Sequence, residues 1–142
     1  CLAPDALRRL NDNLLPLLTA EGRFIAVVMS RFCFWEMLFF LWKRKPREAF
    51  RRFQQGPVIA ALSPDMAVPT WYYSPEQFRQ MFPGFQVQML QPVGFWLPPS
   101  YLNVFFEKHP RFLRVLHWLE QYCTAGWLAP SGDHFYICLT KK

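Results

Sequence analysis

The sequence RFIAVVM, residues 23–29, is rich in β-branched residues and nearly continuous in apolarity. This pattern predicts a β-strand over Arg23–Met29. A strand without polar alternation is typical of a parallel sheet that helices cover, so we expect both of its faces to be buried. The stretch therefore predicts an α/β fold with this strand inside the sheet.

Helical and extended patterns alternate on both sides of this strand. Leucines at three- and four-residue spacing predict an amphipathic helix over residues 4–18, with Pro4 in its first turn. Ser74 is the expected N-cap of a helix that begins at Pro75. Residues 63–69 are expected to form a loop, and 70–73 a short extended piece. The other predicted elements are helices over 32–42, 46–55, 75–81, 98–108 and 111–123, and strands over 58–62, 85–91 and 133–142.

Composition bounds the class of protein. With 142 residues a single domain is expected, and 52% hydrophobic against 18% charged residues excludes a disordered chain. Aromatic residues reach 18%, so the chain buries large side chains or lines an apolar pocket. The most apolar run, residues 32–42, contains Glu36 and is shorter than the roughly 20 residues of a membrane span.

Cysteine usage points to a compartment. The four cysteines lie far apart, none has metal-ligand spacing, and no apolar signal segment opens the chain. Reduced thiols in a cytoplasmic protein fit this pattern, and a secreted domain with two disulfides is the alternative. The cysteines are Cys1, Cys33, Cys123 and Cys138.

Three motifs occur in an order that resembles a known family. A leucine-rich helix is followed by the turn TAEG at residues 19–22 and then by the strand over Arg23–Met29. Residues 78–85, FRQMFPGF, end a helix with Gly-Phe before a strand, and residues 132–139, GDHFYICL, are the last strand. Together they resemble the C-terminal half of a class I S-adenosylmethionine-dependent methyltransferase of the small-molecule type.

The resemblance implies an architecture. Arg23–Met29 would be strand five of a Rossmann-like sheet, with strands six and seven as an antiparallel end. Residues 31–56 would be a helical, lid-like insertion, and 1–142 a single-domain fragment. A strand without its second neighbour leaves an open edge, so self-association through that edge is expected unless a longer chain covers it.

The resemblance also implies a cofactor, S-adenosylmethionine. The family's cofactor motifs lie in strands one, two and four, and this chain has no counterpart of them. Its six glycines never come within three residues of each other, so they form no cofactor-binding loop. Cys1 would follow the absent strand four and is the one residue expected on the cofactor side.

The implied activity is methyl transfer to a nucleophile on a small, apolar molecule. Such transfer works by holding donor and acceptor in line, and no catalytic residue is assigned. Because ligands of open α/β sheets bind at the carboxyl ends of strands, we expect the substrate near the end of Arg23–Met29. Phe32, Trp35 and Phe39 would share one face of the lid helix. The candidate substrate-binding residues are Arg31, Phe32, Trp35, Tyr72, Tyr73 and Trp96.

A basic cluster supports an alternative. Six of the sixteen cationic residues follow the apolar run directly, and the net charge is +6. A non-enzymatic basic α+β domain would bind a membrane surface or lipid through residues 32–52. Nucleic acid is not expected, because no aromatic stacking pattern interleaves the charges. The cluster consists of Lys43, Arg44, Lys45, Arg47, Arg51 and Arg52.

Other chemistries lack support in the sequence. The three histidines, His109, His117 and His134, have no short spacing typical of a metal site, so no metal is expected. The serines lack the nucleophile-elbow motif of hydrolases.

Overall fold

The computed structural model of the chain describes residues 2–63, 65–99, 108–122 and 125–142. In these ranges the chain is mixed α/β, with a three-stranded sheet and a separate two-stranded hairpin. The helices are α1 (Pro4–Leu17), α2 (Phe34–Trp42), α3 (Pro46–Ala49), α4 (Pro75–Gln80) and α5 (Pro110–Tyr122), with 3-10 turns at Arg51–Phe53 and Gly126–Ser131. The strands are β1 (Arg23–Met29), β2 (Val58–Ser63), β3 (Met66–Thr70), β4 (Phe85–Val93) and β5 (His134–Lys141).

Most predicted elements are confirmed within a few residues of their expected bounds. The loop expected over 63–69 is wrong, because Met66–Thr70 pairs with β2 as strand β3. The basic helix expected over 46–55 is shorter, since α3 ends at Ala49 and a 3-10 turn follows. Of the helix expected over 98–108, residues 100–107 lie outside the described ranges, as do Cys1 and Cys123.

Strand β5 is the centre of the three-stranded sheet. It pairs antiparallel with β1 on one side and with β4 on the other, so β1 and β4 run in the same direction. The register places Val28 opposite Phe135 and Phe24 opposite Leu139. These side chains project from one face of the sheet, where they form part of the core.

A chain of phenylalanine rings fills the core between this face and α4. The ring centroids of Phe78 and Phe82 are 5.0 Å apart, and Phe82 lies 5.3 Å from Phe24 and 6.1 Å from Phe85. Phe78 also meets Phe135 edge to face at 6.1 Å. Tilted and edge-to-face contacts at these distances are favourable for aromatic pairs.

Helix α1 packs on the same core and explains the Gly-Phe motif. A Cβ atom at Gly84 would lie only 2.5 Å from the Cδ2 atom of Leu15, so a larger residue there would force the Leu15 side chain to move. The Leu15 carbonyl near the end of α1 accepts a hydrogen bond from Lys141 Nζ at 2.9 Å. That donor satisfies a carbonyl that the end of the helix leaves unpaired.

Strand β1 departs from the expected burial. Phe24, Ala26 and Val28 pack into or against the core, but Ile25 and Val27 on the opposite face are 53% and 59% exposed. The expectation that both faces are buried is therefore wrong for this structure. The described helices that contribute to the core lie on one side of β1 only.

The second edge of β1 is paired only at its end. The Tyr73 amide donates to the Met29 carbonyl at 3.1 Å, and the Arg31 amide donates to the Tyr73 carbonyl at 3.0 Å. This forms a parallel bridge between Ser30 and Tyr73. Alternate residues of a strand direct their backbone N–H and C=O groups to the same edge. The backbone groups of Ile25 and Val27 therefore face the same edge as those of Met29, along the stretch of that edge that has no partner strand in the described ranges.

An open edge with apolar side chains pairs with other chains. We therefore expect the chain to self-associate through β1, and Val27→Lys to reduce that association, because a charge on an edge strand opposes pairing. Sedimentation equilibrium measures the mass. The matched control is Ile59→Lys, which places the same charge at an exposed β-branched position of β2. A wild-type chain that remains monomeric over the whole concentration range contradicts this expectation.

Candidate functional site

A cavity of about 340 Å³ lies at the carboxyl end of β1. Three of the predicted substrate-binding residues, Arg31, Tyr72 and Tyr73, line it. The rest of the wall combines apolar and amide side chains, among them Trp71, Met81, Gln54, Gln55, Gln77 and Gln80. The sheet edge expected to bind a ligand thus carries a concave site of mixed polarity.

A backbone bridge, a side-chain hydrogen bond and a glycine turn bring these residues together. The bridge between Ser30 and Tyr73 places residues 71–73 beside the end of β1. Arg31 Nη2 donates to the Phe53 carbonyl at 2.8 Å and so holds the 3-10 turn against the strand. The following loop reverses at Gly56, whose φ of 109° is a conformation that other residues rarely adopt.

The two tyrosines in the lining of the cavity have raised pKa values. Burial raises the pKa of Tyr73 to about 12, and its hydroxyl donates to the Leu2 carbonyl at 2.6 Å. Burial also raises the pKa of Tyr72, although Arg52 and Arg51 oppose that effect. The Arg52 guanidinium lies 4.7 Å from the centre of the Tyr72 ring. Neither phenol is ionised near neutral pH, so both are poor bases.

The remaining predicted residues lie elsewhere. Trp35 Nε1 donates to the Phe95 carbonyl at 2.8 Å, and the ring of Phe95 contacts Trp96 at 4.9 Å. Trp35 and Trp96 therefore meet around Phe95, and neither lines the cavity. Phe32 contacts Phe53 at 6.3 Å, beside the carbonyl that Arg31 binds.

The expected helical face of Phe32, Trp35 and Phe39 is wrong. Helix α2 begins at Phe34, so Phe32 precedes it and does not share the helical repeat. The chain leaves β1 at Ser30, whose side chain is buried, and Cys33 is also buried before the first helical turn. The helix therefore starts at Phe34, two residues after Phe32, where the apolar pattern predicted its start.

A buried ion-pair network, which no pattern in the sequence analysis predicted, adjoins the cavity. Glu36 is 1% exposed and binds two arginines. Its Oε2 atom accepts from Arg52 Nη2 at 2.6 Å, and its Oε1 atom accepts from Arg51 Nε at 2.8 Å. Arg52 Nη2 also binds Asp133 Oδ1 at 2.7 Å. The network joins α2, the 3-10 turn at Arg51–Phe53 and the residue before β5.

Arg52 is saturated with acceptors. Besides the carboxylates of Glu36 and Asp133, its Nη1 atom donates to the carbonyls of Ser30 at 3.1 Å and Asp133 at 3.2 Å. Its Nε atom donates to Glu36 at 3.0 Å. All five N–H donors of a guanidinium are therefore engaged, which leaves none for a ligand. Arg52 holds the structure together at this point and does not contact a substrate.

The network holds Asp133 and Arg52 in their charged forms. Burial opposes ionisation of Asp133, but hydrogen bonds and charge from His134 and Arg52 outweigh burial and keep its pKa well below the usual range. Burial likewise lowers the pKa of Arg52, but the hydrogen bond and charge of Glu36, together with smaller effects that include the charge of Asp133, raise it above its usual value. Next to the network, burial raises the pKa of the Cys33 thiol to about 11, so this thiol is neutral near pH 7.

One signal in the sequence could have revealed the network. Glu36 is the only charged residue of an otherwise apolar helix, and six cations follow it within 16 positions. A carboxylate at such a position is buried only with a partner. As a consequence, Arg52 is buried and Arg51 is bound to Glu36, so the cluster of six cations is not one solvent-exposed surface.

Comparison of the sequence with models of known protein families and with curated proteins gave no match. No group of three or more metal-binding side chains is present in the part of the chain that the structure describes. None of the helices in that part is long and apolar enough to cross a membrane.

Removing the carboxylate of Glu36 should destabilise the fold strongly. Glu36→Ala leaves Arg52 buried with only part of its compensating charge, and breaking such a pair costs about 3–5 kcal/mol of unfolding free energy. Urea unfolding measures the loss. The control is Glu48→Ala, which removes an exposed pair with Lys45 and should change stability by less than about 1 kcal/mol. Equal losses of unfolding free energy in the two variants would show that the buried network adds little to stability.

Asp133 should make the protein sensitive to acid. In the unfolded chain an aspartate has a pKa of about 3.9, whereas in the fold the pKa of Asp133 is lower. Its contribution to stability is therefore complete above about pH 4 and is lost as the pH falls towards the folded pKa. Urea midpoints measured from neutral pH downwards should decline below about pH 4. Asp133→Asn should be less stable at neutral pH and show a smaller acid decline; a parallel decline would exclude this role.

Proposed function

We propose that this chain forms the substrate-side, C-terminal half of an S-adenosylmethionine-dependent methyltransferase that acts on a small molecule. The observation that carries the proposal is the cavity at the carboxyl end of β1, where Arg31, Tyr72 and Tyr73 converge. Open α/β sheets bind their ligands at this edge. In this proposal a longer chain supplies the cofactor-binding half.

The topology of the sheet supports the proposal. A Rossmann-like sheet with strands six and seven as an antiparallel end requires a last strand that runs against its neighbours, and β5 is antiparallel to both β1 and β4. The open edge of β1 is the place where a further strand of such a sheet would pair. The exposed side chains of Ile25 and Val27 lie on the same strand.

The cavity favours a substrate with an apolar body and at least one polar group. Its volume of about 340 Å³ falls within the range of small-molecule sites. Trp71 and Tyr72 offer ring surfaces, while Arg31 and the glutamines offer donors and acceptors. A purely apolar substrate would leave those polar groups desolvated and unpaired, which is unfavourable.

The residues described here do not fit a cofactor site. Gly56 and Gly94 alone among the glycines have positive φ, and each lies in a separate loop. A Cβ at Gly22 or Gly132 would come within 3.0 Å of atoms of this chain itself, so these glycines serve internal packing. S-adenosylmethionine would supply an activated methyl group. The role that we assign to this chain is to bind and orient the acceptor, an effect of proximity.

The decisive experiment compares this chain with the longest product of its gene. Titration calorimetry should detect no binding of S-adenosylmethionine to the 142-residue chain, because the cofactor motifs are absent. The longer product should bind it and transfer a labelled methyl group to an acceptor from a panel of small aromatic compounds. The proposal fails if the gene encodes no strand with a glycine-rich turn upstream, or if the longer product does not bind the cofactor.

Within an active longer chain, Arg31→Gln should raise the KM for the acceptor about tenfold, equivalent to about 1.4 kcal/mol. The affinity for S-adenosylmethionine should remain unchanged, since Arg31 lines the acceptor cavity. The control is Arg79→Gln, which removes an exposed cation of α4 that does not line the cavity. Equal effects of both substitutions on KM would remove Arg31 from the site.

Trp35 and Trp96 remain predicted contributors to substrate binding, although they lie around Phe95. Trp35→Ala should weaken acceptor affinity without changing cofactor affinity if the aromatic group contacts the substrate. If Trp35 only packs, the substitution should lower the melting temperature and leave acceptor affinity in the folded fraction unaltered. Both affinities and the melting temperature are therefore measured together, with Trp127→Ala, at a highly exposed tryptophan, as the control.

A further inference from the structure

Helix α2 is inverted with respect to an ordinary surface helix. Its single charged residue, Glu36, is buried, whereas Phe34, Leu38, Leu41 and Trp42 are 45%, 51%, 46% and 76% exposed. A surface helix of a soluble domain normally turns its apolar side chains inwards and its charges towards water. Helix α2 has the opposite arrangement, which indicates that its exposed apolar face contacts a binding partner.

The exposed side chains form one continuous stripe. They occupy positions i, i+4, i+7 and i+8 of the helix, which lie on the same side at 3.6 residues per turn. Glu36 lies on the opposite side, where Arg51 and Arg52 hold it. The ion pairs therefore fix the rotation of α2 about its axis, and the stripe cannot turn inwards without breaking them.

Exposed cations border the end of this stripe. Lys43, Arg44, Lys45 and Arg47 follow Trp42 directly and are all exposed. Lys43 Nζ lies 4.3 Å from the ring centre of Phe39, and Lys45 pairs with Glu48 at 3.0 Å. Arg44 and Arg47 take part in no ion pair within the described ranges, and both line an open depression of about 330 Å³ with Lys45.

Arg44 occupies a position where glycine is the usual residue. The Lys45 amide donates to the Phe40 carbonyl at 2.8 Å and the Arg44 amide donates to the Leu41 carbonyl at 2.9 Å, the pattern of a Schellman helix end. The residue after the cap of such an end is left-handed, and Arg44 has a φ of 57°. A long cation at this strained position lies next to the negative end of the helix.

We propose that this surface, the apolar stripe of α2 with its four bordering cations, docks on an anionic lipid bilayer. The charge complementarity decides the occupant: an apolar face with a tryptophan at its end and cations immediately beyond it matches acyl chains below anionic headgroups. The stripe enters the interface, and the cations remain at the headgroups. This inference does not depend on methyl transfer, because none of its residues lines the cavity at the end of β1.

The proposed docking surface contains only four of the six cations of the basic cluster, because Arg51 and Arg52 are turned away from it. Both side chains serve Glu36, so the bilayer meets only the four cations from Lys43 to Arg47. Neutralising Arg51 or Arg52 would disturb the fold, whereas neutralising Arg44 or Arg47 should not. The structure therefore separates the effects on binding from the effects on stability.

The experiment measures co-sedimentation of the chain with phosphatidylcholine vesicles, with and without phosphatidylserine. The chain should bind the vesicles that contain phosphatidylserine, and high salt should weaken the binding. Arg44→Gly should reduce affinity about fivefold, the effect of one cation near a charged bilayer, while the melting temperature stays equal or rises because glycine suits the left-handed position. Loss of affinity in a variant that is no less stable cannot result from unfolding.

Two double variants test the cations and the stripe separately. Arg44→Glu/Arg47→Glu should abolish binding, and its control, Arg8→Glu/Arg9→Glu on exposed positions of α1, changes the net charge equally but should reduce affinity by less than about threefold. Leu38→Gln/Leu41→Gln should also abolish binding with little change in stability, since both side chains are exposed.

The proposal is overturned if the wild-type chain does not bind the vesicles that contain phosphatidylserine, or binds both kinds of vesicle equally. It is also overturned if both charge variants lose affinity alike. A different result would assign the stripe to a second copy of the chain. In that case the wild-type chain does not bind vesicles, and Leu38→Gln/Leu41→Gln abolishes its self-association in sedimentation equilibrium.

Discussion

The guanidinium of Arg52 is the point through which the parts around the end of β1 are connected. It binds the Glu36 carboxylate on α2, the Ser30 carbonyl at the end of β1 and both the carbonyl and carboxylate of Asp133 before β5. A buried charge of this kind is tolerated only when its partners are all present. The position of α2 relative to the ends of β1 and β5 therefore depends on this side chain.

The orientation of α2 follows from that interaction. Glu36 must face Arg52, so the opposite side of the helix faces outwards, and the sequence places Phe34, Leu38, Leu41 and Trp42 there. Hydrophobic burial alone would turn these residues inwards, at about 25 cal/mol per Å² of apolar surface. The ion pairs oppose that rotation, and the same contact that stabilises the inner side of the helix creates its apolar outer surface.

The cavity depends on the same region of the chain. Arg52 lies over the ring of Tyr72, which forms part of the wall, and the 3-10 turn that contains Arg52 offers the Phe53 carbonyl to Arg31. The network and the cavity are thus built from the same segments of the chain, but the network stabilises the fold and the cavity is the candidate binding site. Arg52 has every donor engaged within the protein, whereas the cavity presents Arg31 and glutamine side chains along its wall.

The sequence by itself determined the local elements, because their signals lie within a few residues of each other. The apolar run of Arg23–Met29, the leucine spacing of residues 4–18 and the N-cap Ser74 each specify a helix or strand without help from distant residues. Six residues were predicted as one substrate site, and the structure brings three of them, Arg31, Tyr72 and Tyr73, to the cavity. Only the tertiary structure decided that Ile25 and Val27 are exposed, that Trp35 meets Phe95, and that Arg52 is buried. Each of these outcomes depends on residues distant along the chain, such as Glu36 with Arg52 and Arg52 with Asp133, 81 positions apart. Contacts across such separations leave no periodic pattern in the sequence, so composition and spacing could indicate the residue types but not their partners.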